Sequence, residues 1–368
     1  MGDIKPEASN VILHARNLRV VRGGVTILDI PEMIVRSGEV LSLIGPNGAG
    51  KSTLLQALCY LMKPFAGHIR FRDKIVGREY GISDYRKRIA MVFQEPLLFD
   101  TTVFKNVATG LKFRGVDRKD IERRTAENLE RFGISHLRDR SARTLSGGEA
   151  QRTSLARAFA TGPEIIFLDE PFASLDPPTR DSLIDDLEKA LKESSTSGVF
   201  ATHDRTEALR LSDTIAVMNT GRICQMGVPE EVMNHPTDAF VASFVGVETI
   251  LKGKVERIGD GTFTARVQER DVEALGAVRI GETVLLCIRP EDVTLARYVA
   301  GRQTSARNAF DGKIERILHL GVYTKIELNC GFPLVAYITK NSVENLHLSE
   351  GGEVTASFKA TAIHVVRK

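Results

Sequence analysis

The sequence predicts an α/β domain followed by a smaller all-β domain, and three observations carry that expectation. Before residue 248, short apolar runs such as Val40-Leu41-Ser42-Leu43-Ile44 and Ile165-Ile166-Phe167-Leu168 alternate with helical patterns, as buried parallel strands alternate with amphipathic helices. After residue 248, short β-branched runs are punctuated by Gly and Asp, as in Gly253-Lys254-Val255, Gly259-Asp260-Gly261 and Asp311-Gly312-Lys313, which is strand-and-turn chemistry. The charge divides at the same place: residues 1–248 hold 33 basic and 33 acidic side chains, whereas residues 249–368 hold 17 and 14, so the whole excess of +3 lies in the second part.

The bulk composition sets the frame for these elements. A chain of 368 residues has room for two or three domains. With 42% hydrophobic and 26% charged residues it is globular rather than disordered. No apolar run approaches the roughly 18 residues a bilayer-spanning helix needs. The opening MGDIKPEASN has no apolar segment, so no signal peptide is expected, and residues 1–10 are expected to form a flexible tail. Cys59, Cys224, Cys287 and Cys330 are scattered without a CxxC pattern and read as small buried apolar residues of a reducing compartment. A net charge of +3 argues for no nucleic-acid partner. The boundary is placed near residues 241–249, giving an α/β domain over 11–240, a linker and first part of the β region over 241–303, and a β-barrel over 304–368.

In chain order, the run over 40–44 leads into Gly45-Pro46-Asn47-Gly48-Ala49-Gly50-Lys51-Ser52, and Thr53 to Leu58 continue as a helix. This strand–GxxxxGK[ST]–helix context lets backbone N–H groups converge on phosphate oxygens at a helix N-terminus. Lys51 is placed to reach the β- and γ-phosphates and the Ser52 hydroxyl to ligate Mg²⁺. Residues 120–131 have a polar helical pattern. The run over 165–168 ends in Asp169-Glu170. In a parallel sheet it is expected beside the phosphate-loop strand, at the carboxyl ends where ligands bind. Asp169 is then placed to hold Mg²⁺ and Glu170 to act as general base. Over 179–193, Leu183, Ile184, Leu187 and Leu191 share one helix face.

Leu145-Ser146-Gly147-Gly148-Glu149, followed by a helical pattern over 152–160, completes a set that resembles the ATP-binding subunits of ABC transporters, whose signature is LSGGE or its relative with Gln. Gln94 in Val92-Phe93-Gln94-Glu95-Pro96 resembles the Q-loop, Ser174-Leu175-Asp176 the D-loop, and His203 in Ala201-Thr202-His203-Asp204 the switch histidine. The resemblance covers about residues 11–240. It implies ATP hydrolysis with Mg²⁺ in a head-to-tail homodimer. Lys51, Ser52, Gln94, Asp169, Glu170 and His203 would serve one nucleotide, with Gln94 also at the metal, while Ser146, Gly147 and Gly148 close on the nucleotide of the other subunit beside Asp176. It also implies a helical subdomain over 95–144 that docks on two membrane permease chains, a peripheral location on the cytoplasmic face of the cell membrane, and an extracytoplasmic solute-binding protein. One departure concerns the adenine-stacking aromatic residue usual in the family. Arg22 stands in its place, and a guanidinium plane can stack on a purine. Glu149 in place of the commoner Gln is read as neutral.

Ile288-Arg289-Pro290-Glu291-Asp292-Val293 is a phrase typical of importer ATPases with an accessory barrel. Thr304-Ser305-Ala306-Arg307-Asn308, Ile338-Thr339-Lys340-Asn341-Ser342-Val343 and Phe358-Lys359-Ala360-Thr361-Ala362-Ile363-His364-Val365 resemble the small OB-like, oxyanion-binding barrel at the end of molybdate and tungstate importer ATPases, over about 304–368. Ser305, Arg307, Asn308, Ser342 and Lys359 would supply the donors and cations that a tetrahedral dianion needs. They are equally a strand-capping turn and solvated side chains. Sulfate, a polyamine, a sugar or ferric iron stay open as cargo, as does a non-transport ABC ATPase. No internal repeat is legible in residues 249–296.

Overall fold

The computed structural model describes residues 10–297 and 307–367. The expected tail, apart from Asn10, lies outside them, as does Ser305. The chain divides into two compact units, 1–229 and 230–368, so the division falls before the expected boundary near 241–249.

The first unit opens with β1 (Val11–Arg22) and β2 (Val25–Arg36), joined by Gly23-Gly24, then β3 (Val40–Ile44), α1 (Lys51–Leu58), β4 (Ala66–Phe71), β5 (Lys74–Ile75), α2 (Ile82–Arg88) and β6 (Ile89–Val92). It continues through α3 (Val103–Phe113), α4 (Arg118–Arg131), α5 (Gly147–Ala160), β7 (Ile165–Asp169), α6 (Pro177–Ser194), β8 (Ser197–Thr202), α7 (Arg205–Leu211), β9 (Thr214–Asn219) and β10 (Arg222–Gly227). Both turn glycines have positive φ, +57° and +79°, the backbone a two-residue hairpin turn requires. Two sheets result, one four-stranded in the order β2-β1-β4-β5 and one six-stranded in the order β10-β9-β3-β8-β7-β6.

The expectation that β7 lies beside the phosphate-loop strand is corrected: β8 runs between β3 and β7, parallel to both. The chain leaves β7 through α6 and returns as β8. A parallel neighbour needs such a crossover, and β8 takes the place next to β7 before β3 is reached. The register still aligns the carboxyl ends. Ile44 pairs with Thr202, Asp169 with Ala201 and Val92 with Leu168, so the residues that follow each strand emerge along one edge.

Every residue of β3, β7 and β8 is buried, which is why these strands read as unbroken apolar runs. Their side chains alternate between two cores. Leu41, Leu43, Ile165, Phe167, Val199 and Ala201 face α1 and the antiparallel sheet. Val40, Ile166, Leu168 and Phe200 face α3 to α6. Residues 95–144 hold α3 and α4, both packed on α5. Buried Asn106 ties the loop before α3, its amide accepting from Phe99 N (2.8 Å) and donating to Phe99 O (3.0 Å). Among the described residues, no helix is long and apolar enough to cross a membrane.

The second unit begins with α8 (Pro229–Asn234), whose first residue sits at the division, and α9 (Ala239–Phe244). Then come β11 (Thr249–Ile258), β12 (Thr262–Val267), β13 (Arg270–Leu275), β14 (Thr283–Ile288) and β15 (Thr294–Arg297). After them lie β16 (Asn308–His319), β17 (Thr324–Asn329), β18 (Pro333–Ile338), α10 (Lys340–Leu346), β19 (Glu353–Phe358) and β20 (His364–Arg367). Short 3₁₀ turns at Pro290–Asp292 and Ala360–Ala362 stand at equivalent points. The same succession of five strands therefore occurs twice, a repeat the sequence had hidden.

The halves exchange their last strands. β20 pairs with β14, and β15 pairs with β19, giving sheets in the orders β13-β12-β11-β14-β20 and β15-β19-β16-β17-β18. Both sheets contribute to one core, with Val255, Phe263 and Leu286 meeting Phe310, Leu328 and Phe358. Two latches tie the halves reciprocally. Thr249 Oγ1, at the start of β11, accepts from Val335 N in β18 (3.0 Å). Asn308 Oδ1, at the start of β16, accepts from Glu273 N in β13 (2.8 Å). The strands β16 to β20 thus share one fold with β11 to β15. Cys59, Cys287 and Cys330 are buried free thiols as expected, while Cys224 is half-buried.

Candidate nucleotide site

The edge formed by the carboxyl ends of β3, β6, β7 and β8 carries the site. Gly45 follows β3 so tightly that a Cβ there would lie 2.3 Å from the carbonyl oxygen of Met218. Gly50 enters α1 at φ +100°, where a side chain would be strained. Lys51, buried in this loop, donates from Nζ to Gly45 O (2.7 Å) and Pro46 O (3.2 Å) and lies 3.5 Å from Glu170 Oε1. The Ser52 hydroxyl donates to Asp169 Oδ1 (2.8 Å). Burial raises the Asp169 carboxyl above its ordinary range, against the opposing pull of that hydrogen bond and of Lys51.

Glu170 leaves β7 at φ +44°, a conformation that a non-glycine residue rarely adopts and that clusters at working sites. The turn aims its carboxylate back at the loop, and Glu170 Oε2 sits 3.0 Å from His203 Nδ1. Lys51, Ser52, Thr53, Asn47, Gly48, Ala49, Gly50, Gln94, Glu170 and Arg22 line a single cavity of about 490 Å³. Arg22, at the end of β1, is on that wall. Ile27 stands with it and was not singled out from sequence. Its signal was a half-buried apolar position of β2 just past the Arg22–Val25 pair.

The hydroxyl of Ser52, the carboxylate of Asp169 and the amide oxygen of Gln94 are hard oxygen donors, the set that suits Mg²⁺. Among the described residues no cluster of three or more His, Cys, Asp or Glu forms a self-sufficient cage. Mg²⁺ is commonly held instead by one or two carboxylates together with phosphates.

Ser146, Gly147, Gly148 and Asp176 are not on that wall. They form a second group. Ser146 caps α5, its Oγ accepting from Glu149 N (3.3 Å) while Glu149 Oε2 accepts from Ser146 N (2.7 Å). Glu149 is therefore half of a capping box, and the bond from Ser146 holds its carboxyl below the ordinary range. Asp176 caps α6 by accepting from Thr179 N (3.3 Å), and a Cβ on Gly148 would meet the Thr179 methyl at 2.7 Å. A Cβ on Gly147 would meet nothing within 4 Å, leaving its backbone open to an approaching group.

Of the expected oxyanion set, the pairing of β16 with β19 sets Asn308 opposite Phe358, so Arg307 and Lys359 flank that pair. Arg307 pairs with the Glu273 carboxylate, Asn308 is fully buried with its amide spent on Glu273 N and O, and Ser342 Oγ bonds Thr339 Oγ1 (2.9 Å). Lys359 is exposed, and Ser305 is outside the described residues. In this arrangement Asn308 is a latch between the sheets and Arg307 its flanking ion pair, and a dianion at Arg307 would have to displace that carboxylate.

Residues 28–173 match the ABC transporter family and residues 304–365 the TOBE domain. The chain is 40% identical over 337 residues to the molybdate/tungstate import ATP-binding protein WtpC of Pyrococcus horikoshii, covering 90% of this chain and 93% of the relative. It is 35% identical to the sulfate/thiosulfate import ATP-binding protein CysA of Thermosynechococcus vestitus, covering 88% and 89%. Among solved structures, cbiO1 of Clostridium perfringens, part of the ABC transporter complex cbiONQ, matches with a TM-score of 0.57 and 32% identity over 65% of this chain and 96% of that one.

Proposed function

The chain belongs to the ATP-binding proteins of ABC transporters and is an ATPase of that family, and from this premise we propose that it energises the import of molybdate or tungstate through a pair of membrane permease chains. The observation that carries the cargo is the 40% identity over nine-tenths of the chain to a molybdate/tungstate import protein. Sulfate is the second reading, favoured by the 35% identity to a sulfate/thiosulfate import protein; all these cargoes are tetrahedral dianions.

In this reading the Lys51 ammonium, held among loop carbonyls, turns to the β- and γ-phosphates, and the N–H groups of Gly48 to Ser52 cradle them. Arg22 stacks on the base, with Ile27 on the same wall. Ser52, Asp169 and Gln94 would hold Mg²⁺, which when bound would supply charge neutralisation at the phosphates. The Glu170 carboxylate takes a proton from water as its oxygen attacks the γ-phosphorus and the bond to the ADP oxygen breaks. His203 steadies Glu170 from Nδ1. Ser146, Gly147, Gly148 and Asp176 face the nucleotide of a second copy, so two sites close together in a homodimer on the cytoplasmic face of the membrane. An extracytoplasmic binding protein would deliver the cargo.

Two measurements test this. Glu170→Gln is expected to bind ATP with turnover reduced at least a hundredfold; turnover at the wild-type rate overturns the base assignment. In vesicles holding the complete transporter, ATP-dependent uptake of labelled molybdate or tungstate is expected. Uptake of sulfate with none of either metal oxyanion overturns the cargo.

A further inference from the structure

Resting on the assignment of Glu170 and His203 above, we propose that Arg180 is a positioning residue for ATP hydrolysis, coupling the loop that carries Asp176 to the turn that carries His203. Arg180 sits in the first turns of α6, immediately after the Asp176 cap. Its Nη2 donates to Leu175 O (3.3 Å), the residue before Asp176. Its Nη1 lies 3.6 Å from Asp204 Oδ2 and its Nε 3.9 Å from Glu207 Oε1. One planar guanidinium therefore spans two segments that meet nowhere in sequence, a geometry that the point charge of lysine cannot reproduce.

The far side of the contact is itself tightly built. Thr202, the last residue of β8, donates from Oγ1 to Glu207 Oε2 (2.5 Å) and accepts from Asp204 N (3.0 Å). Asp204 caps α7 by accepting from Thr206 N (2.7 Å) and Glu207 N (3.3 Å). His203 is fixed between Thr202 and Asp204, so whatever holds those two holds the imidazole against Glu170. Arg180, Glu207, Asp204 and His203 also enclose a polar cavity of about 30 Å³ with Glu170 on its wall, roomy enough for about one water. Arg180 Nε is buried without a hydrogen-bond partner. Movement of the Asp176 loop, as when a second subunit closes on it, would thus be felt at His203.

The test uses the full chain with MgATP. Arg180→Ala is expected to lower kcat about tenfold with KM for ATP within twofold, and Arg180→Lys to recover part of the loss. In a His203→Ala background the same change should cost less than twofold, since residues acting through one another are non-additive. Wild-type kcat in Arg180→Ala, or the full tenfold loss repeated on top of His203→Ala, overturns the proposal. Should Arg180→Ala fail to fold, Glu207→Gln carries the test with the same expected split and the same overturning result, a wild-type kcat. Glu170→Gln separates the two failures. If it too hydrolyses ATP at the wild-type rate, the site assignment falls. If it is inactive while Arg180→Ala is normal, only the role of Arg180 falls.

Discussion

Asp169 and Asn308 show how burial decides what a polar side chain does. Burial disfavours the ionised form of Asp169, and a hard cation beside Ser52 would offset that cost. MgATP is therefore expected to raise the melting temperature more than ATP with a chelator, and Asp169→Asn to abolish the difference; equal shifts in both proteins would remove the metal from this site. Asn308 occupies a position where the sequence suggests a ligand, yet both ends of its amide are taken by the backbone of Glu273. Asn308→Ala leaves a buried N–H and C=O unpaired, and chemical denaturation should show the C-terminal unit less stable by about 1–3 kcal/mol. A stability unchanged from wild type would mean that the amide is free for a ligand after all.

At the scale of elements, α5 gives the clearest case. Glu149 looked like a neutral exchange for glutamine, but its carboxylate accepts the Ser146 N–H at 2.7 Å and a charged acceptor makes the stronger bond. Its pKa is depressed in the folded state. Its contribution is therefore present above the unfolded glutamate value, about 4.3, and lost as pH falls through the lower folded value. Hydrogen-exchange protection of the first-turn amides of α5 should drop across that window, and Glu149→Gln should flatten the drop; an identical profile in both proteins would count against it. The helix expected over 179–193 and the strands β3, β7 and β8 were legible because each places apolar side chains at its own period, whereas the helix over 120–131 was legible as a polar helical pattern. The position of β8 between β3 and β7 was not, because strand order depends on a crossover through α6 that leaves no mark on the periodicity of either strand.

Across the whole molecule, the motifs between Gly45 and His203 were readable because each is a short local string whose chemistry depends on its own backbone. The repeat in the second unit was not readable, because two halves that share a fold need share only turns and alternation. Exchange of β15 and β20 makes each half incomplete without the other. Ending the chain after Lys359 should therefore abolish cooperative unfolding of the C-terminal unit while ATP affinity at the first unit is kept, as calorimetry and nucleotide titration would show. A C-terminal unit that melts at its wild-type temperature without β20 would refute that dependence.

By itself the sequence determined the two-part architecture, the phosphate loop, the paired carboxylates and the family signature, since these rest on local backbone chemistry and short-range spacing. Only the tertiary structure decided that Glu170 meets both Lys51 and His203, that Arg180 joins Leu175 to the turn of His203, and that Asn308 is a latch. Each of those includes a contact between residues distant in the chain. For Glu170, Lys51 and His203 it is the strand register along one sheet edge, rather than any propensity of the residues, that brings the partners within a few ångströms.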